Sequence, residues 1–239
     1  MENLNNKVAF VTGGSKGIGY GVAAALSAMG VRVGITSRNK AEAEKAAKEI
    51  TASGKGEVIG IEADVRDFES QKRAIQQVTD KWGQLDVLVA NAGVGHFGSI
   101  EELTPEQWQQ TIDTNLTGVF YSLKAAIPEL KKSKGYIFTI SSLAGTNFFA
   151  GGTAYNASKF GVTGFTQAAM LDLRNYDIKV TTIMPGSVAT HFNDHNPSEE
   201  DAWKIQKEDI GELVVDLLKM NQRALPSKIE IRPTKPPQK

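Results

Sequence analysis

Val8-Ala9-Phe10-Val11-Thr12-Gly13-Gly14-Ser15-Lys16-Gly17-Ile18-Gly19 lies near the start of the chain, and the order of its residue types decides the fold. An apolar, β-forming run passes directly into a glycine-rich turn, and the turn passes into an alanine-rich stretch with helical character. Gly13 is free to take positive φ and turn the chain sharply, while Gly17 and Gly19 leave no side chain between the backbone and a pyrophosphate, or between helix and sheet. A helix N-terminus behind such a turn offers unpaired N–H groups and partial positive charge to phosphates. Gly13, Ser15, Lys16, Gly17, Ile18 and Gly19 are therefore candidate cofactor-binding residues. A glycine cluster alone could be a structural turn; the strand before it and the helix after it point to phosphate binding.

Working outward, short β-branched runs alternate with longer helical patterns. Strands are predicted at 8–12, 32–36, 58–62, 85–90, 135–141, 179–184 and 228–231, and helices at 18–29, 40–53, 68–82, 105–125, 155–173 and 207–220. Several strands are apolar almost throughout, as expected when helices cover both faces. The alternation predicts an α/β Rossmann fold: a doubly wound, mostly parallel seven-stranded sheet with helices on both faces. No linker interrupts it, so residues 1–232 are read as one Rossmann-fold domain. Residues 233–239, with three prolines and two lysines, are read as a flexible tail.

Composition narrows the function classes. Lys plus Arg number 27 and Asp plus Glu number 27, so no net field draws the chain to nucleic acid or an anionic membrane. Absence of cysteine excludes disulfides and thiolate chemistry. Residues 1–7 are polar, and no apolar stretch approaches the roughly 20 residues of a membrane span. A cytoplasmic protein is expected. His96, His191 and His195 are scattered without ligand partners, so no metal is expected.

A unit specific for NAD ends its second strand on a carboxylate that accepts bonds from the ribose 2′-hydroxyl. Here that strand ends Thr36-Ser37-Arg38-Asn39, and the first acid after it, Glu42, is already in the helix. Ser37 stands where the acid would be. The Arg38 guanidinium suits a 2′-phosphate, and Lys16 can add a second positive charge. The prediction is NADP(H) in preference to NAD(H).

Tyr155 and Lys159 are four residues apart, which puts both on one helical face. A free tyrosine has a pKa of about 10, and a nearby ammonium, together with the positive ring of an oxidised cofactor, is expected to stabilise the phenolate and lower that value. Such a pair alone is commonplace on surface helices. What gives it meaning is Ser142, thirteen residues upstream and just past a strand, where a hydroxyl can hold a substrate oxygen while tyrosine protonates it.

Together these motifs resemble the short-chain dehydrogenase/reductase family over nearly the whole chain. The turn resembles its T-G-x-x-x-G-x-G, and Ala90-Asn91-Ala92-Gly93 resembles its N-N-A-G, with alanine for the first asparagine. The resemblance implies that Asp64 and Val65 contact the adenine, and that Asn91, Ala92 and Gly93 border the cofactor. It also implies that Pro185, Gly186, Val188 and Thr190 close over the nicotinamide amide. It makes Asn115, Ser142, Tyr155 and Lys159 the catalytic set, with Asn115 holding a water in a proton relay through its backbone. Lys159 also holds the nicotinamide ribose. The implied reaction is pro-S hydride transfer to a carbonyl carbon, without a metal.

Substrate choice is expected in 94–97, 144–152 and the short polar stretch after Thr190, with Phe97, Phe148, Phe149 and Phe192 as candidate walls of an apolar, open pocket. The C-terminal stretch, from Leu225 to Thr234, is more similar to sepiapterin-reductase-like and short hydroxy-acid dehydrogenase members than to 3-oxoacyl-carrier-protein reductases. A small-molecule carbonyl or alcohol is the expected partner, in a homodimer or homotetramer joined through the helices bearing Asn115 and Tyr155. An oxidative alcohol or hydroxy-acid dehydrogenase uses the same residues. A silent nucleotide-binding sensor would typically have lost Ser142, Tyr155 or Lys159, and all three are present.

Overall fold

Along β1 (Val8–Val11) the side chains of Val8 and Phe10 enter one apolar cluster and those of Ala9 and Val11 another, and all four are fully buried. That alternation is what a strand shows when both its faces are covered. It recurs through a computed structural model that describes residues 4–236. The first three residues of the polar leader, and the last three of the 233–239 tail, lie outside the described residues.

Each of the first six strands is followed by helix. The order is β1, α1 (Gly17–Ala28), β2 (Arg32–Ser37), α2 (Lys40–Ser53), β3 (Val58–Glu62), α3 (Phe68–Trp82) and β4 (Val87–Ala90). Then come α4 (Pro105–Ile112), α5 (Gly118–Ser133), β5 (Tyr136–Ile140), α6 (Thr153–Leu173), β6 (Lys179–Pro185), α7 (Lys207–Lys219) and β7 (Lys228–Ile231). The seven strands lie in the order β3-β2-β1-β4-β5-β6-β7, every pair parallel. The chain leaves β1 toward β2 and β3, then returns to its other side at β4. A crevice therefore opens at the carboxyl ends of β1 and β4, where open α/β sheets bind ligands.

Side-chain caps explain several helix starts. Asn39 accepts the Glu42 N–H, Asp67 accepts those of Glu69 and Ser70, and Thr104 forms a reciprocal capping box with Gln107 ahead of Pro105. One face of the sheet is covered by α1, α2 and α7, the other by α3, α5 and α6.

The predicted single helix over 105–125 needs correction. It is two helices, α4 and α5, joined by a wider π turn at Asp113–Thr117, and α5 runs on through Pro128 to Ser133. Proline inside a helix costs about 3 kcal/mol. Burial of Leu123, Ala126 and Leu130 against the sheet outweighs it.

Candidate active site

The glycine turn is latched to the neighbouring strand. Thr12 Oγ1 accepts the backbone N–H groups of Asn91 (3.0 Å) and Ala92 (3.1 Å), and Asn91 Nδ2 donates to Thr12 O (2.9 Å) and Gly13 O (3.1 Å). The Asn91 side chain thus holds the turn, and Thr12, which the sequence reading did not single out, is its counterpart. Gly13 and Gly17 sit at φ 64° and 59°. A Cβ on Gly19 would collide with Gly13 O and the Asn91 amide. Lys16, the N-cap of α1, makes no side-chain cap, and no acid lies in that helix's first turn. Unlike α2, α3 and α4, this helix keeps its end free of side-chain caps beside the turn. Thr190 packs over Gly17, with 3.4 Å between its Cβ and a Cβ built on the glycine, so the segment containing Pro185, Gly186, Val188 and Thr190 reaches the same turn. Backbone bonds fold that segment back on residue 205: Ala189 N to Ile205 O (2.9 Å) and Ile205 N to Ser187 O (3.1 Å).

At the end of β2, Lys16, Arg38 and Asn39 are exposed and Ser37 is half-buried. Arg38 borders a depression shared with Glu62, Asp64, Ser70 and Arg73. Glu42 reaches back further than its helical position suggests: Ser37 Oγ donates to its carboxylate at 3.5 Å. Asp64 is fixed on every side. Its N–H donates to Ser70 Oγ (3.2 Å), its carbonyl accepts from the buried Gln71 (3.2 Å), and the Arg66 guanidinium forks onto its carboxylate, as close as 2.6 Å. That fork, first among the causes, holds the Asp64 pKa below the usual carboxylate range. Val65 packs against Gly118, the first residue of α5, where a Cβ would come within 2.8 Å of Val65 Cγ2.

The predicted catalytic residues converge. Ser142 follows β5, accepts the Ala144 N–H (3.1 Å) and donates to Pro185 O at 3.5 Å, and its hydroxyl lies close enough to the Tyr155 phenol to pull that group's pKa down in part. Lys159 is buried, with Nζ donating to Ile140 O (2.9 Å) and lying 5.6 Å from the centre of the Tyr155 ring. A Cβ on Gly93 would stand 3.3 Å from Asn115 Oδ1 and 3.7 Å from Lys159 Nζ, so that glycine keeps the passage to the ammonium open. Asn115 sits in the π turn; its amide pairs with both backbone groups of Val94 (2.8 Å each) and donates to Ser158 Oγ (3.0 Å).

The ammonium's share of the expected lowering is not found. The protein's own groups hold the Tyr155 pKa above its ordinary 10: burial raises it, and the Ser142 hydroxyl offsets only part. The ammonium faces the ring at 5.6 Å and donates to a carbonyl rather than to the phenol. Burial in turn lowers Lys159 from 10.5 to about 8.

The model of the short chain dehydrogenase family matches residues 7–201 of this chain. The chain belongs to that family. It is 38% identical over 194 residues to trans-4-hydroxycyclohexanecarboxylate dehydrogenase of Sinomonas cyclohexanicum, a match covering 79% of this chain and 75% of that one. It is 32% identical over 235 residues to sepiapterin reductase of Chlorobaculum tepidum, covering 95% and 96%. The crystal structure of an alcohol dehydrogenase from Thermococcus sibiricus, complexed with 5-hydroxy-NADP, superposes with a TM-score of 0.90 at 30% identity, over 98% of this chain and 99% of that one. Like the family, this short-chain dehydrogenase is an oxidoreductase of single-domain Rossmann fold.

Around this family core lie the expected pocket residues. Phe97, Phe149 and Phe192 gather near Tyr155, whereas Phe148 points outward and is 86% exposed. Asn156, beside Tyr155 and not foreseen, ties the 144–149 loop to α6 through Ala144 O (2.8 Å) and Asn147 O (2.7 Å). The stretch after Thr190 is exposed but tied down near its end. Buried Asp201 receives His195 Nε2 and Lys204 Nζ, each at 2.5 Å, and the Lys204 bond leads in pulling its pKa well down. Among the described residues no group of three or more His, Asp or Glu could hold a metal, and no helix is long and apolar enough to cross a membrane.

Proposed function

We propose that this short-chain dehydrogenase reduces a ketone or aldehyde to an alcohol with NADP(H), Tyr155 giving the proton. The observation that carries this reading is the corner formed by Ser142, Tyr155 and Lys159, a serine hydroxyl beside the phenol with a buried ammonium against the same ring. The glycine turn and the uncapped start of α1 fit a pyrophosphate, and the cleared space at Gly93 fits a ribose approaching Lys159. When bound, the reduced nicotinamide would supply the hydride, its ring carrying positive charge only in the oxidised form.

The remaining work falls to side chains. Ser142 holds the carbonyl oxygen, and Tyr155 protonates it. At neutral pH the phenol is in its acid form, as proton donation to the carbonyl oxygen requires. Lys159, charged below about pH 8, offers donors to the ribose hydroxyls. Asn115 fixes the loop at Val94 and the helix at Ser158, and so holds the two sides of the site in register. Asp64 and Val65 flank the adenine; Pro185, Gly186, Val188 and Thr190 flank the nicotinamide amide.

Arg38 and Lys16, with no acid at the end of β2, favour the 2′-phosphate of NADP(H), and Glu42 opposes it. The NADP-type ligand of the Thermococcus relative supports the same class. Phe120, Phe160 and Leu171, each more than two-fifths exposed along α5 and α6, support a homo-oligomer joined through those helices. The test is NADPH absorbance with a panel of ketones, aldehydes and β-ketoesters. Turnover should vanish in Tyr155→Phe while NADPH still binds; undiminished turnover would remove the proton-donor assignment.

A further inference from the structure

The wall facing Tyr155 is made of rings. Phe97 lies 5.3 Å and Phe192 5.6 Å from the tyrosine ring, and Phe97 in turn is 6.1 Å from Phe149 and 6.3 Å from Phe192. The three phenylalanines come from three separate loops, and the backbone is shaped to receive them. A Cβ on Gly95 would stand 2.6 Å from Phe192 Cζ, and one on Gly152 would stand 2.6 Å from Phe149 Cζ. Gly98 N donates to Gly151 O (2.9 Å), which joins the loop of Phe97 to that of Phe149. Yet the rings keep 43%, 37% and 49% of their surface exposed, for Phe97, Phe192 and Phe149 respectively. An aromatic cluster assembled this carefully and left open to solvent marks a ligand surface.

Charge says what kind of ligand. Within 94–102, 144–152 and 191–204 there is a single lysine or arginine, Lys204, and its ammonium is held by Asp201. His96 is paired with Gln110 (2.8 Å) and His195 with Asp201, while His191, next to Phe192 in the chain, is exposed. The Glu102 carboxylate accepts the Ser99 N–H (3.2 Å), which places a negative charge at the end of the same loop. A carboxylate brought against these rings would lose water and gain no partner.

The geometry points to an uncharged ketone carrying an aromatic or similarly flat ring beside its carbonyl as the substrate class of this site, an inference that rests on the reductase reading above. Phe97, Phe149 and Phe192 take the ring, and none of the three stretches offers a free lysine or arginine to pair with an acid.

Three probes of similar size separate the possibilities: acetophenone, 4-acetylbenzoate and the open-chain ketone 2-octanone. Binding is measured by calorimetry on the Tyr155→Phe protein with and without NADPH, and kcat/KM is measured on the wild-type enzyme. Acetophenone should bind about tenfold or more tightly than 4-acetylbenzoate, the gap expected for desolvating an unpaired carboxylate. It should also exceed 2-octanone severalfold, a preference that Phe97→Leu removes, since leucine keeps the apolar wall but loses the ring. Phe149→Lys, at a half-exposed position that tolerates charge, should narrow the carboxylate gap about tenfold. Equal or tighter binding of 4-acetylbenzoate, equal binding of 2-octanone, or no binding of any of the three would overturn the inference. If the binding order holds but wild-type enzyme consumes no NADPH with acetophenone, the pocket assignment stands and the reductase reading falls.

Discussion

Replacing Lys159 by methionine should abolish turnover and yet stabilise the protein near neutral pH. The lysine is buried, and burial lowers its pKa from 10.5 to about 8. At ~1.4 kcal/mol for each tenfold change, that depression corresponds to a penalty of roughly 3 kcal/mol for keeping the ammonium in the folded state. Methionine fills a similar volume without the charge. Against this, Ile140 O loses the bond it accepts at 2.9 Å, which costs ~1–2 kcal/mol. The net gain is about 1–2 kcal/mol. Below pH 8 the lysine is charged in both folded and unfolded chains, so the whole penalty is present. Between 8 and 10.5 the folded chain releases its proton first, and wild-type stability rises with pH relative to the variant. Urea unfolding at fixed protein concentration, without coenzyme, at pH 7 and pH 10 measures both ends. The variant should lead at pH 7 and lose that lead by pH 10. A variant less stable by the same amount at both values would refute a penalised ammonium.

Arg38→Asp should weaken NADPH binding about 10–100-fold and narrow or reverse the preference over NADH, since charge-assisted bonds to a phosphate contribute ~1.5–3 kcal/mol; fluorescence titration of both coenzymes checks it. Asn115→Ala strips both backbone groups of Val94 of their partner and should cost about 2–3 kcal/mol of stability, read as a lower thermal midpoint. Leu171→Glu, on the exposed face of α6, should shift the assembly toward monomer in sedimentation velocity, with little change in secondary structure.

Much of the fold was legible because each strand carries its burial in its own residues: Val87-Leu88-Val89 and Tyr136-Ile137-Phe138 read as two-faced strands, and they are. The glycine turn was legible because Gly13 and Gly17 occupy positive φ that other residues resist. The π turn was not, since Asp113–Thr117 continues the same residue types as ordinary helix and differs only in winding. Ser142, Tyr155 and Lys159 come together as their spacing suggested. The supporting residues were hidden because their partners are distant in sequence: Thr12 meets Asn91 and Ala92 about 80 residues away, and Asn156 holds a loop that runs back to Ala144. The direction of the phenol's shift was also hidden. It follows from how deeply the ring is enclosed and from where Lys159 spends its proton, on Ile140 O, neither of which a four-residue spacing reveals.

The pH dependence of kcat/KM in both directions, for wild type and Tyr155→Phe, bears most directly on the role of the phenol. Ketone reduction should hold level through neutral pH and fall as Tyr155 ionises, alcohol oxidation should climb over that same range, and the phenylalanine variant should lose at least about 100-fold in each. Two profiles that slope the same way, or a phenylalanine variant that keeps its rate, would show that the proton comes from elsewhere.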